Sequence, residues 1–107
     1  MSDEQKEIEV FESNRFGKQL DKFSEAAQTV IEDEVDKIIE NPKIGEQKKG
    51  DLSYLRVHKF TLNRQETLLG YSFQEQKLIL TLLQLGSHEN FYSDAKNKRK
   101  IDLKLIG

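Results

Sequence analysis

The sequence predicts a small α+β fold: an antiparallel sheet with two N-terminal helices on one face and a short C-terminal helix. Three observations predict it. Apolar residues between positions 27 and 39 recur in steps of three and four, the period of a helix. Three β-rich runs follow between positions 55 and 85, separated only by short polar turns, which is the pattern of a meander. Helices that arrive as a pair ahead of such a sheet must cover one of its faces, leaving the other free for a site.

Each element has its own signal. Ile8 to Phe11 alternates apolar and polar and reads as a short first strand. Asn14 is placed to cap a short helix carrying Phe16, Leu20 and Phe23. Ser24 starts a second helix whose stripe is Ala27, Val30, Ile31, Val35, Ile38 and Ile39, with Glu32, Asp33, Asp36, Lys37 and Glu40 opposite. Asn41-Pro42 stops it, because the residue before a proline avoids helical geometry. Lys43 to Tyr54 is a loop holding Gly45, Gly50 and the pair Lys48-Lys49. The meander runs are Leu55 to Leu62, Thr67 to Phe73 and Lys77 to Leu85, with turns at Asn63 to Gln65 and Gln74 to Gln76. The third run is almost continuously apolar, as in a strand buried on both faces. Gly86-Ser87 ends it, and Ser87 is placed to cap a last helix reaching about Lys98. The tail Ile101 to Ile106 alternates again and reads as an extra edge strand or a frayed end.

The 107 residues suit one domain spanning 1–107. There is no cysteine, which excludes disulfide staples and thiol chemistry. No apolar run approaches the ~20 residues of a membrane span, and Met1 to Glu12 lacks the basic start and apolar stretch of a signal peptide. A cytoplasmic protein is the expectation. Charge is unevenly spread. Residues 1–42 hold 12 acidic and 5 basic side chains, whereas residues 43–107 hold 12 basic and 7 acidic. A basic second half suits either a polyanion site or plain solvated faces.

Only two histidines are present, His58 and His88. Arg56, His58 and Phe60 share one face of the first meander strand, and His88 follows the end of the third. If the second strand lies between them, the two imidazoles are expected to converge at one end of the sheet. Such a pair suits proton transfer from a ribose 2′-hydroxyl and to a leaving 5′-oxygen, with a bell-shaped profile between about pH 5 and 8. Arg56, Lys48 and Lys49 would neutralise the phosphate. Tyr92, four residues beyond His88, would stack on a base or bind a phosphate. Plainer readings stand beside these. A histidine beside Phe60 in a strand is more often a hydrogen-bonded structural residue. Either Phe91 or Tyr92 packs the last helix onto the sheet, and Lys96 to Lys100 reads first as a solvated helix end. The histidines lack metal-ligand spacing, and no glycine-rich phosphate loop or nucleophile elbow is present, so no metal or cofactor is expected.

The stretch Asn41 to Lys98 resembles the second half of RelE/ParE superfamily toxins. The resemblance rests on Asn-Pro-Lys after a helix pair, then Gly-Glu-Gln-Lys-Lys-Gly-Asp-Leu, then Leu-Arg-Val-His-Lys-Phe, then Leu-Gly-Ser-His-Glu-Asn-Phe-Tyr before a short helix. It implies a RelE-like fold and the toxin role in a type II toxin–antitoxin system. The activity implied is metal-independent cleavage of mRNA on the ribosome; the expected product is a 2′,3′-cyclic phosphate, because the sequence offers no metal site to activate water. Carried over position by position, Arg56 and His58 match RNA-contacting strand residues, histidine being the YafQ-like choice at the second. His88 matches the catalytic residue after the last strand, and Tyr92 the aromatic near the C-terminus. Arg64, in a turn, stands in for an arginine of the second meander strand. The partners implied are a cognate antitoxin and mRNA on the ribosome, with DNA reached only through the antitoxin and no membrane. Two alternatives stay open: a ParE-like inhibitor that binds DNA gyrase and catalyses nothing, and a degenerate member that only binds its antitoxin.

Overall fold

A computed structural model describes residues 7–107; part of the Met1 to Glu12 segment thus lies outside the described residues. The elements in order are β1 (Glu9–Glu12), α1 (Asn14–Asp21), α2 (Glu25–Glu40), β2 (Glu46–Gln47), β3 (Arg56–Leu62), β4 (Gln65–Gln74), β5 (Ile79–Ser87), α3 (His88–Asn97) and α4 (Arg99–Ile106). The sheet order is β1-β5-β4-β3-β2. The meander β3-β4-β5 is antiparallel as expected, but β1 joins β5 in parallel, so the sheet is mixed.

Local chemistry sets the boundaries. Ser13, not Asn14, caps α1: its Oγ accepts from the Phe16 N–H at 3.0 Å and donates to the Leu83 carbonyl at 2.8 Å. That hydroxyl therefore starts the helix and fastens it to β5. Ser24 caps α2 through the Ala27 N–H. The β3–β4 turn puts both Asn63 (φ 52°) and Arg64 (φ 69°) in the left-handed region, the geometry of a two-residue hairpin.

Two apolar clusters form, one on each face of the sheet. On the first, Ala27, Ile31 and Ile38 of α2 and Phe16 of α1 bury against Leu69, Tyr71, Leu80, Leu82 and Leu85. Val30 departs from the expected stripe and stays 37% exposed, because it lies to one side of the line through Ala27, Ile31 and Ile38. On the second face, Leu52, Leu55, Val57, Leu68 and Leu83 bury against Phe91 and Ala95 of α3. The face opposite the helix pair is therefore half covered, not free. A β-bulge makes this two-sided packing work. Gly70 pairs with Gln84 and Tyr71 with Leu82, so Leu83 is the extra residue and faces the second cluster while Leu82 and Leu85 face the first. Gly70 is where Phe91 sits: a Cβ there would lie 2.8 Å from the Phe91 ring.

The tail is a helix, not a strand. Its alternation, Ile101, Leu103, Leu105, is overridden by Asp102, which is 1% exposed and accepts hydrogen bonds from Arg15 Nη1 and Nη2 at 3.1 and 3.0 Å. Arg15 Nη2 also donates to Gln84 Oε1 at 3.2 Å, and Gln84 Nε2 donates to the Phe91 carbonyl at 2.8 Å. One polar chain thus ties α1, β5, α3 and α4 together.

Candidate functional site

On the second face, Val57, Lys59 and Thr61 of β3 alternate away from the helix pair, and α3 lies beyond them. His88 opens α3, at the end of the sheet where Ser87 pairs with Thr67. Its side chain is exposed, and its ring meets Tyr92 edge-on, centroids 5.8 Å apart at 74°. Tyr92 in turn packs edge-on against buried Phe91 at 5.3 Å. The buried Gln84 side chain holds this turn of α3 on β5 through the Phe91 carbonyl, and Tyr92 and His88 lie on the same part of the helix. Lys48 reaches over from the loop before β3, its Nζ 5.1 Å from the Tyr92 ring centroid. Lys48 also pairs with exposed Glu46 at 2.8 Å. That hydrogen bond raises the Lys48 pKa and lowers that of Glu46, and the charges of Lys59 and Lys49 lower Glu46 further. Lys48 thus lies over the Tyr92 ring, while Lys49 and Lys59 are near enough to Glu46 for their charges to act on it.

The opposite face holds two more of the expected site residues, His58 and Arg56. His58 Nε2 lies 2.7 Å from Glu34 Oε1 of α2, and its ring stacks on Phe60 at 5.8 Å and 21°. Burial acts to raise the Glu34 pKa, but hydrogen bonds from His58 and Lys37 outweigh it and hold the carboxyl below its usual value. Arg56 is engaged by the preceding loop and β2: Nη1 donates to the Lys43 and Gly45 carbonyls at 3.3 and 2.8 Å, and Nη2 to the side-chain Oε1 of Gln47 at 3.3 Å. Tyr71 completes this anchoring. Its hydroxyl donates to the Pro42 carbonyl at 2.6 Å and accepts from the Gly45 N–H at 2.9 Å, and a Cβ at Gly45 would meet its ring at 2.8 Å. These contacts pin the loop that presents Lys48 and Lys49.

The model of the ParE-like toxins of type II bacterial toxin–antitoxin systems matches residues 10–96. The chain belongs to this family. The toxin's fold recurs in solved structures. A free-state mutant of the E. coli toxin RelE is 18% identical with a TM-score of 0.67, covering 87% of this chain and 98% of that one. The intact E. coli RelBE toxin–antitoxin complex gives 17%, 0.62, 77% and 98%. The RelBE2 toxin–antitoxin complex of Mycobacterium tuberculosis gives 14%, 0.61, 77% and 99%. At these identities the likeness is one of fold. No curated protein matches the chain.

In this toxin the expected convergence of His58 and His88 fails. The strand order is the anticipated one, with β4 between β3 and β5, but the two rings point to opposite faces of the sheet. His88, Tyr92 and Lys48 come together, with exposed Lys49 the chain neighbour of Lys48; His58 and Arg56 serve the fold on the far side. Arg64 stands exposed in the β3–β4 turn, at the His88 end of the sheet. Lys59 and Glu46 were missed. Alternation along β3 carries the signal for Lys59, since facing away from His58 means facing the His88 side.

Proposed function

We propose that this toxin cuts mRNA on the ribosome, with His88 as the acid–base group. The observation supporting this reading is the exposed His88 ring, edge-on to Tyr92, whose ring in turn carries the Lys48 ammonium. His88 accepts the proton of a ribose 2′-hydroxyl as that oxygen attacks the adjacent phosphorus. The P–O5′ bond breaks, O5′ takes a proton from solvent, and a 2′,3′-cyclic phosphate and a 5′-hydroxyl result. The lysines stabilise the charge that builds on the phosphate, and Tyr92 offers its face to a base. With His58 across the sheet, a single imidazole serves the reaction, so the pH–rate profile has one limb in place of a bell. A cognate antitoxin binds the toxin and holds it inactive, a partnership supported by the toxin–antitoxin complexes among its structural neighbours, and DNA is reached only through that antitoxin. Both this target and its rival lie in the cytoplasm; among the described residues no helix is long and apolar enough to cross a membrane.

The ParE-like family match favours a second reading, inhibition of DNA gyrase by binding alone. One experiment separates them: purified toxin is added to a translation extract with mRNA ends mapped, beside a gyrase supercoiling assay. New mRNA ends without loss of supercoiling are expected. Lost supercoiling with intact mRNA transfers the toxin to the inhibitor class.

A further inference from the structure

The tail helix α4 lies beyond residue 96, where the match to the family model ends. It carries no residue of the candidate site, yet two of its side chains reach both halves of that site. Arg99, its first residue, donates from Nε to the Asp51 carbonyl at 2.7 Å. Asp51 belongs to the turn Gly50–Leu52, which directly follows Lys48 and Lys49. Asp102, one turn further along α4, acts on the other half. Its oxygens accept from Arg15 Nη1 and Nη2 at 3.1 and 3.0 Å, a fork that fixes the guanidinium plane. Arg15 Nη2 donates to Gln84 Oε1 at 3.2 Å, and Gln84 Nε2 to the Phe91 carbonyl at 2.8 Å. A guanidinium only donates and a carbonyl only accepts, so the Gln84 amide satisfies both in one orientation alone. Phe91 lies in the same turn of α3 as His88 and Tyr92. The two halves meet where the Lys48 ammonium lies 5.1 Å from the Tyr92 ring centroid. A cation–π contact between side chains open to water is weak, so it reports how the halves are arranged and does not impose it.

We propose that α4 is an internal brace that positions the two halves of the His88 site against each other. Arg99 sets the loop that carries Lys48. Asp102, through Arg15 and Gln84, sets the turn of α3 that carries His88 and Tyr92. These four are positioning residues, since each acts through a backbone carbonyl or another side chain. The kinetic consequence rests on the cleavage reading, whereas the geometric one does not. A near-attack arrangement of base and phosphate contact is sensitive to shifts of about 1 Å, so a brace remote from the chemistry has leverage on the rate.

The test compares full-length Arg99→Ala, Arg99→Lys, Gln84→Glu and Lys104→Ala with the parent. Gln84→Glu keeps the size and an acceptor for Arg15 but turns an oxygen toward the Phe91 carbonyl, which breaks the link to α3. Lys104 is exposed on the same helix and serves as the control. Thermal melts establish folding. The nuclear Overhauser contact between the Lys48 side chain and the Tyr92 ring reads the arrangement, and cleavage on programmed ribosomes is timed below the lowest melting temperature. The contact should weaken in Arg99→Ala and Gln84→Glu and persist in Lys104→Ala. It should recover in Arg99→Lys, which retains a donor. In the two weakened variants kcat should fall about 10–100-fold, with KM changing less. A merely structural helix would lower the melting temperature and leave both the contact and kcat as in the parent. That result in folded Arg99→Ala and Gln84→Glu overturns the proposal, as does an equal loss of contact in Lys104→Ala. Should Gln84→Glu fail to fold, Arg99→Ala decides, because Arg99 is partly exposed and its removal leaves no buried charge. A parent that cuts no mRNA ends the cleavage reading, while the Lys48–Tyr92 contact still decides the brace.

Discussion

Glu34 of α2 meets His58 of β3 through a 2.7 Å contact between Oε1 and Nε2, in the middle of the helix–sheet interface. The pair makes His58 part of the fold. His58→Ala should lower stability by about 1–3 kcal/mol, the range for a partly buried hydrogen bond to a charged group, since Glu34 loses a partner. Glu34→Gln should also lower stability at neutral pH and flatten its dependence on acid. The sign follows from the lowered carboxyl pKa. Glu34 contributes its full stabilisation above the ordinary glutamate range and loses it as pH falls through the depressed folded value. Chemical denaturation across that range checks both variants.

This pair also shows what was legible in the sequence and what was not. The helices, the meander and their order follow from periodicity, and the two-faced burial of β5 follows from its apolar run. Glu34 lies on the same helical line as Ala27, Ile31 and Ile38, so an acid on the buried stripe was a visible demand for a partner. Which face His58 turned to was not visible. Alternation groups residues on a face but does not say which face the helices cover. The parallel seating of β1 was equally hidden, since pairing partners are set by the whole assembly. The tail misled because its period of two is overridden by one long-range ion pair, Arg15–Asp102, 87 residues apart in sequence.

Core depth should separate two residues of α2 that the sequence grouped together. Ile38 is fully buried, so Ile38→Ala should cost about 2–5 kcal/mol. Val30 is 37% exposed, and Val30→Ala should cost under about 1 kcal/mol. Equal losses in urea melts would place the stripe wrongly.

The Arg15–Asp102 pair should respond asymmetrically. Asp102 is nearly inaccessible and Arg15 partly solvated, with side-chain exposures of 2% and 17%. Arg15→Met leaves a carboxylate buried without its cation and should cost about 3–5 kcal/mol. Asp102→Asn keeps an acceptor and should cost less. Hydrogen exchange should show α4 opening in Arg15→Met before the sheet does.

Arg64 carries a φ of 69° in the hairpin turn, where glycine is at ease and a long side chain is strained. Arg64→Gly should therefore stabilise the fold by roughly 1 kcal/mol. If its guanidinium also touches RNA, the same variant should cleave more slowly while melting higher. A lower melting temperature would contradict the turn geometry.

Under the proposed mechanism one imidazole, His88, performs the chemistry while the other holds the fold. Cleavage rates on programmed ribosomes, measured beside thermal melts for His88→Ala and His58→Ala, test it most directly. His88→Ala should keep the parent melting temperature and lose about 10²–10⁴-fold in rate, the usual contribution of a general acid–base group. His58→Ala should melt lower and, below its own transition, cut within a few-fold of the parent. A stable His88→Ala toxin that cuts at the parent rate, or a His58→Ala toxin that is fully folded yet inert, would contradict the assignment.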